Sequence, residues 1–450
     1  MARVIPGVEV KVVKEIVPQQ LYPSGVVGMI GTAEGGPVLK PTGVTSYREL
    51  VSIFGGESGS LVRDAKLAFL NGVFQVYATR IEGTGGTMAS ANLAGARRRN
   101  VVRLTSKLSG EAGNETEVVV MRGQTENTVR LEISNDKAQE SFDNLTMQPG
   151  TELFLVDFIN NNSKVVSAED LKASLEFPDT NPVDAEITLS GGSSQPPTKD
   201  DYQKALEMLE MEPEVDSVYA CDSWDPAVHA LVDAHCKNMS TDCKNRIGFG
   251  TVAPNESVDD ILKRVDVLAS DRFVLTAPYG VGGAVAGLIS KLSYWESPTF
   301  KALTGMADIE HRYTPSEQMK LISNGILPVD AVRGRGLIVV KGITTSKEQI
   351  SVMRVADHAV RGVKNVSDNF IGTLNNDRGR TALREGLAGF LTGMAKEGSL
   401  VPSVDGKDPA FLVDVYSSQL DFAQGIVRAD LAVRPVRAMD YIYATLTVEA

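Results

Sequence analysis

Between residues 200 and 277 helix-like and strand-like stretches alternate without interruption, and no other feature restricts the fold as much. The helical pattern of Asp201–Met211 is followed by the strand Ser217–Cys221. A helix over Pro226–Lys237 follows, then the strand Arg246–Thr251, a helix over Val258–Ala269 and the strand Phe273–Thr276. This order predicts an α/β layer. The same grammar opens the chain. An apolar strand at Val26–Gly31 and a short one at Thr42–Thr45 precede a helix that Ser46 can cap, with Glu49 as its capping-box partner. A helix over Ser60–Asn71, closed by Gly72, leads to the strand Phe74–Ile81.

Between these halves the composition changes. Residues 101–190 hold short β-prone runs such as Val118–Met121, Thr128–Ile133 and Glu186–Leu189, separated by Asn, Asp, Gly and Ser. Gly191-Gly192-Ser193-Ser194-Gln195-Pro196-Pro197 ends the stretch as a linker. We therefore expect an antiparallel β module (96–199) inserted into a discontinuous α/β domain (21–95 and 200–325). An α+β domain (326–435) follows, with a strand at Gly336–Lys341 and helices at Ser346–Val363 and Arg378–Gly393.

Both ends of the chain read as strands. Val8, Val10 and Val12 alternate with Glu9 and Lys11 after Pro6 and Gly7. At the other end Ile442, Ala444, Leu446 and Val448 share one face of Met439–Val448, opposite tyrosines and threonines. A lone strand cannot satisfy its own backbone donors and acceptors. The segments 1–20 and 436–450 must join this chain's own sheet or that of another molecule.

Composition excludes several classes. A net charge of −12 disfavours a generic nucleic-acid binder, and Arg97-Arg98-Arg99 reads as a solvated boundary. The longest apolar runs fall far short of the ~20 residues that span a bilayer. The amino end lacks a signal-peptide pattern, so a soluble, cytoplasmically made protein is expected. Cys221, Cys236 and Cys243 read as reduced thiols.

The apparent chemical motifs are weak. Gly280-Val281-Gly282-Gly283-Ala284-Val285-Ala286-Gly287 follows a strand, but its third glycine is misplaced for a dinucleotide fingerprint and no acidic residue ends the next strand. A glycine-rich turn with close helix packing is expected instead. His229, His235, Cys236 and Cys243 lack the pair spacing of structural zinc sites. Asp357 and His358 are adjacent on a helix, so their side chains diverge by about 100°. We expect no catalytic, cofactor or metal residues, and no cofactor.

The chain resembles the contractile tail sheath family of phages, pyocins and related injection systems. Pro6-Gly7-Val8-Glu9-Val10 looks like the family's opening, and Ser24–Ala33 like its first strand and loop. Val44-Thr45-Ser46-Tyr47-Arg48-Glu49-Leu50 with Phe54-Gly55, Val76–Arg80, Asn324-Gly325-Ile326-Leu327-Pro328 and the closing aromatic strand follow in the family's order. The run before the last third lacks the family's prolines and histidine, which suggests a divergent branch. The resemblance implies a structural subunit, not an enzyme, that stacks as hexameric rings around an inner tube. It implies assembly in a bacterial or archaeal host cytoplasm into the tail of a virion or injection particle. It also implies the inner tube protein, the baseplate and the tail terminator as partners, with no nucleic acid and no membrane insertion. It makes Pro6, Gly7, Val8, Val10 and Val12 an inter-subunit arm, and likewise Tyr441, Ile442, Tyr443, Ala444, Leu446 and Val448. A baseplate or tube-capping protein with part of this fold, and more remotely an α/β enzyme, stay open as alternatives.

Overall fold

The computed structural model describes residues 25–83, 85–136 and 138–443. Its frame begins with β1 (Val26–Gly31), β2 (Thr42–Val44), α1 (Tyr47–Phe54), α2 (Ser60–Leu70) and β3 (Gln75–Arg80). Ser46 caps α1 by accepting from the Glu49 N–H at 3.2 Å, while Glu49 reaches back to the Thr45 N–H.

The β-rich module follows: β4 (Met88–Ala94), β5 (Asn100–Ser109), β6 (Glu117–Arg122), β7 (Val129–Ser134), β8 (Gln139–Leu145), α3 (Leu155–Asn162), β9 (Val166–Asp170) and β10 (Ala185–Thr188). Its strands form two antiparallel sheets, β4-β5-β9 and β10-β6-β7-β8, over one apolar core. The two chain passages joining the module to the frame pair with each other, through Thr87 with Ser193 and Ser90 with Ser190. The module's first strand thus begins at Met88, ahead of the predicted boundary at 96.

The frame resumes with α4 (Lys199–Leu209), β11 (Ser217–Ala220), α5 (Pro226–Thr241), β12 (Ile247–Thr251), α6 (Val258–Val267), β13 (Phe273–Ala277), α7 (Gly282–Lys291), β14 (Ala302–Leu303), α8 (Pro315–Ser323), β15 (Ile326–Val332) and β16 (Gly336–Val339). The frame strands form one sheet in the order β14-β16-β15-β13-β12-β11-β1-β3-β2. The strands from β15 through β3 run parallel. β1, β11, β12 and β13 are buried along their whole length, as helices on both faces require. One face carries α1, α2 and α7, the other α4, α5, α6 and α8.

The sheet runs on past residue 325, so the strand predicted for the C-terminal unit belongs to the frame. Ile326–Val329 is buried beside β13, and a turn with Gly334 and Gly336 at positive φ folds β16 back antiparallel onto β15.

The last unit packs α9 (Ile350–Asp368) and α10 (Asp377–Lys396) under a hairpin of β17 (Phe411–Tyr416) and β18 (Arg428–Val433). The short α11 (Gln419–Ala423) lies between the two strands. α9 starts four residues later than predicted because Thr345 and Ser346 donate backbone hydrogen bonds to Phe273 and Ser270. That ties the preceding loop to the frame and keeps it out of the helix.

Candidate assembly surfaces

β17 and β18 pair in register from Phe411–Val433 to Tyr416–Arg428. Their alternation sends Phe411, Val413, Val415, Ala429, Leu431 and Val433 toward α9 and α10. None of the six is fully buried. Neither outer edge of the hairpin is joined by a further strand among the described residues. A two-stranded hairpin is marginal alone, and this one rests on α9 and α10. Its closing segment is well held: Ser418 caps α11 with Asp421, and Arg428 donates to both Asp421 oxygens at 3.0 and 2.9 Å. The Arg428 guanidinium and the Ser418 hydroxyl hold the Asp421 carboxyl down to about 2.

The predicted arm residues Pro6, Gly7, Val8, Val10 and Val12 lie outside the described residues, as do Ala444, Leu446 and Val448. The described chain starts at Gly25, whose N–H donates to Asp216 Oδ2 at 2.7 Å. Only glycine suits this position: φ is +106°, and a Cβ would sit 2.2 Å from the Ser290 carbonyl oxygen.

Tyr441, Ile442 and Tyr443, the described part of the segment's closing residues, lie in no strand. Ile442 is 82% and Tyr443 94% exposed. The sequence alternates as a strand would, and among the described residues no strand stands beside these three. The segment before them is held: Val436 N–H donates to Ser399 O, Arg437 pairs with Glu348, and Ala438 and Asp440 meet Gln349.

Residues 195–345 match the family model described as the phage tail sheath protein central domain. Over that stretch the chain is similar to the central domain of phage tail sheath proteins. The tail sheath protein of Staphylococcus phage Twort is 27% identical over 286 residues, which cover 57% of this chain and 46% of that protein. The chain thus matches about half the length of that relative. In fold it is similar to the sheath tail protein of Listeria innocua, with a TM-score of 0.63, 16% identity and 93% of each chain covered. It is also similar to the helical sheath of the anti-feeding prophage in its contracted state, with a TM-score of 0.59, 14% identity and 99% of each chain covered.

The glycine run of the chain serves packing. α7 lies against α2 so closely that a Cβ on Gly283 or Gly287 would come within 2.4 Å of the Asp64 or Ala68 carbonyl oxygen. His229, His235 and Cys236 sit in the core. His229 Nε2 is 2.9 Å from Ser223 O, and His235 Nε2 is 2.8 Å from Arg246 Nη1. Burial drives the His229 and His235 pKa values down to about 4 and about 3, so both stay neutral. Among the described residues, no three His, Cys, Asp or Glu side chains are grouped to hold a metal ion. Asp357 and His358 do diverge. Asp357 Oδ1 accepts from Arg272 at 2.5 Å and Asn245 at 2.7 Å, while His358 stacks on Tyr294 with ring centres 3.8 Å apart.

Sequence reasoning missed two features of the chain. One is the polar junction that bolts α9 to the frame: Asp357 with Arg272 and Asn245, Arg361 beside Asp216, and Arg354 on the Leu292 and Ser293 carbonyls. The other is Asp64, buried on α2. It accepts from the Asp222 N–H at 2.9 Å and from the Tyr219 hydroxyl. Burial, then the nearby Asp222 charge, pushes its carboxyl up to about 7. In sequence the signal was an aspartate or arginine on an otherwise apolar helix face, which does not name its partner.

Proposed function

We propose that this chain is the subunit of a contractile sheath. It polymerises as stacked hexameric rings around an inner tube and contracts from a metastable extended state to drive the tube through a target envelope. The observation that carries this reading is the two-stranded hairpin, to which no further strand is joined among the described residues, in a chain whose own ends read as strands and whose Tyr441–Tyr443 residues lie in no described strand. Terminal arms of neighbouring subunits supply the missing strands by β-augmentation, in which main-chain hydrogen bonds hold the arm and alternate side chains set its register. At about 0.5–1.5 kcal/mol net per bond plus buried valines, one arm contributes on the order of 5–10 kcal/mol. Such arms keep the lattice connected while the globular parts exchange one set of contacts for another, and the step needs no nucleotide. The β module (96–199) faces outward and the α9–α10–hairpin unit faces the tube. Similarity to a helical sheath in its contracted state supports the same reading.

Negative-stain electron microscopy of the purified full chain tests it. Hollow striated cylinders of uniform width are expected, and deleting residues 1–20 should leave soluble particles that form none. Cylinders of normal appearance from the deleted chain would refute the arm assignment. Dispersed particles from the full chain, even with tube protein added, would move the baseplate or capping reading to the front.

A further inference from the structure

Gln349 ends the loop between β16 and α9, occupies the N-cap position of α9 and is buried. Its side-chain amide brackets a single residue of the terminal segment. Oε1 accepts from the Ala438 N–H at 3.1 Å, and Nε2 faces the Ala438 carbonyl oxygen at 3.3 Å. This is the two-point pairing that a residue of a neighbouring strand offers, here made by a side chain. Nε2 also donates to Asp440 Oδ2 at 2.8 Å, and Lys341 Nζ stands 3.6 Å from the same oxygen. The Lys341 ammonium donates to the Tyr441 hydroxyl at 3.0 Å and lies 5.0 Å from the centre of its ring. Glu348 pairs with Arg437 at 3.0 Å. The loop that carries these groups is tied to the frame, since the Thr345 and Ser346 N–H groups donate to Phe273 and Ser270 next to β13. Exposure then climbs from a nearly covered Asp440 side chain to 82% at Ile442.

We propose that Gln349, with Lys341 and Asp440, is the anchor of the C-terminal arm. It is a positioning site that fixes where the arm leaves the subunit, sets the pivot at Tyr441–Ile442, and passes load from the arm into the β16–α9 loop. This rests on reading 436–450 as an inter-subunit arm. Arg437, Ala438, Asp440 and Tyr441 are all held on that loop. Tension applied to the arm of a subunit in a lattice therefore reaches the frame and the start of α9 before it reaches the hairpin. Each arm must cross to its neighbour at one fixed angle for the lattice to repeat, and a root bracketed at both backbone groups of Ala438 supplies that constraint.

The test is hydrogen exchange of the full chain before assembly, together with electron microscopy after it. Gln349→Glu keeps an acceptor for the Ala438 N–H, removes the donor and sets a carboxylate against Asp440. Exchange across 437–441 should rise by about tenfold or more, with an unchanged thermal midpoint, and cylinders should be lost or irregular. Adding Asp440→Asn restores a donor–acceptor pair in the reverse sense, and should bring back both protection and cylinders, a rescue that a merely structural role does not predict. If Gln349→Glu fails to fold, Lys341→Met, at the edge of the site, should raise exchange at 440–441 in its place. Unchanged exchange in these variants overturns the anchor. So does raised exchange with cylinders of wild-type width and axial repeat. If the wild-type chain forms no cylinders, the sheath reading falls, and the exchange comparison alone decides the anchor.

Discussion

Asp64 is a carboxyl group enclosed by the frame. It lies on α2 against Tyr219 and the Asp222 N–H, with Arg63 bonded to Asp222 at 2.5 Å and the Tyr279 hydroxyl donating to the same carboxylate. Its pKa rises from the ordinary 3.8 to about 7 on folding. Between those values the folded chain keeps a proton that the unfolded chain releases. The contribution of Asp64 to stability is therefore complete below about pH 4 and is lost as pH rises through about 7. Asp64→Asn keeps the shape and removes the titration. We expect urea midpoints of the variant to lose a decline that wild type shows between pH 4 and 7, with a slope on the order of 1 kcal/mol per pH unit. Parallel profiles for the two proteins would show that Asp64 ionises normally.

α9 is the element on which the two main parts of the chain meet. Its apolar stripe joins the C-terminal core through Val355, Ala359 and Val366, while Ile350 reaches the frame's core. Its polar stripe holds the frame through Arg354, Asp357 and Arg361. The Arg272–Asp357 pair is nearly dry, with side-chain exposures of 13% and 10%. Burial pushes the Asp357 carboxyl up against the opposing pull of Arg272. Asp357→Ala would strand the Arg272 charge at this junction, at a cost of about 3–5 kcal/mol. Calorimetry should show a markedly lower midpoint, and replacing both residues with apolar ones of similar size should recover much of the loss. A midpoint within a degree of wild type would mean that water already reaches the junction.

At the scale of the whole molecule, the proposed assembly has each subunit give and receive strands. Under that proposal, a chain lacking residues 1–20 keeps the hairpin that accepts a neighbour's arm and loses the arm that it would extend. Mixed with full-length chain, it should enter cylinder ends and stop growth, so mean cylinder length measured by electron microscopy should fall as its share rises. Unaltered lengths would mean that residues 1–20 are not the link between rings.

Local chemistry made much of this legible in the residues. Apolar runs bounded by caps and glycines marked β1, β3, β11, β12 and β13 close to their final bounds. The alternation of helix and strand marked an α/β layer with a β-rich interruption, and the misplaced third glycine spoke against a dinucleotide loop. These signals act within about ten residues, where backbone geometry and side-chain period decide the outcome. Tertiary structure alone decided that β15 and β16 extend the frame's sheet, because a buried strand pairs with whichever edge is free. It alone brought Gln349 to Ala438, Asp357 to Arg272 and Asp64 to Asp222. Each of those pairs is separated by more than 80 residues, and a polar side chain carries no mark of its partner. The β17–β18 hairpin was likewise unpredicted, since its half-covered alternation of apolar and polar residues takes its meaning from the helices beneath it.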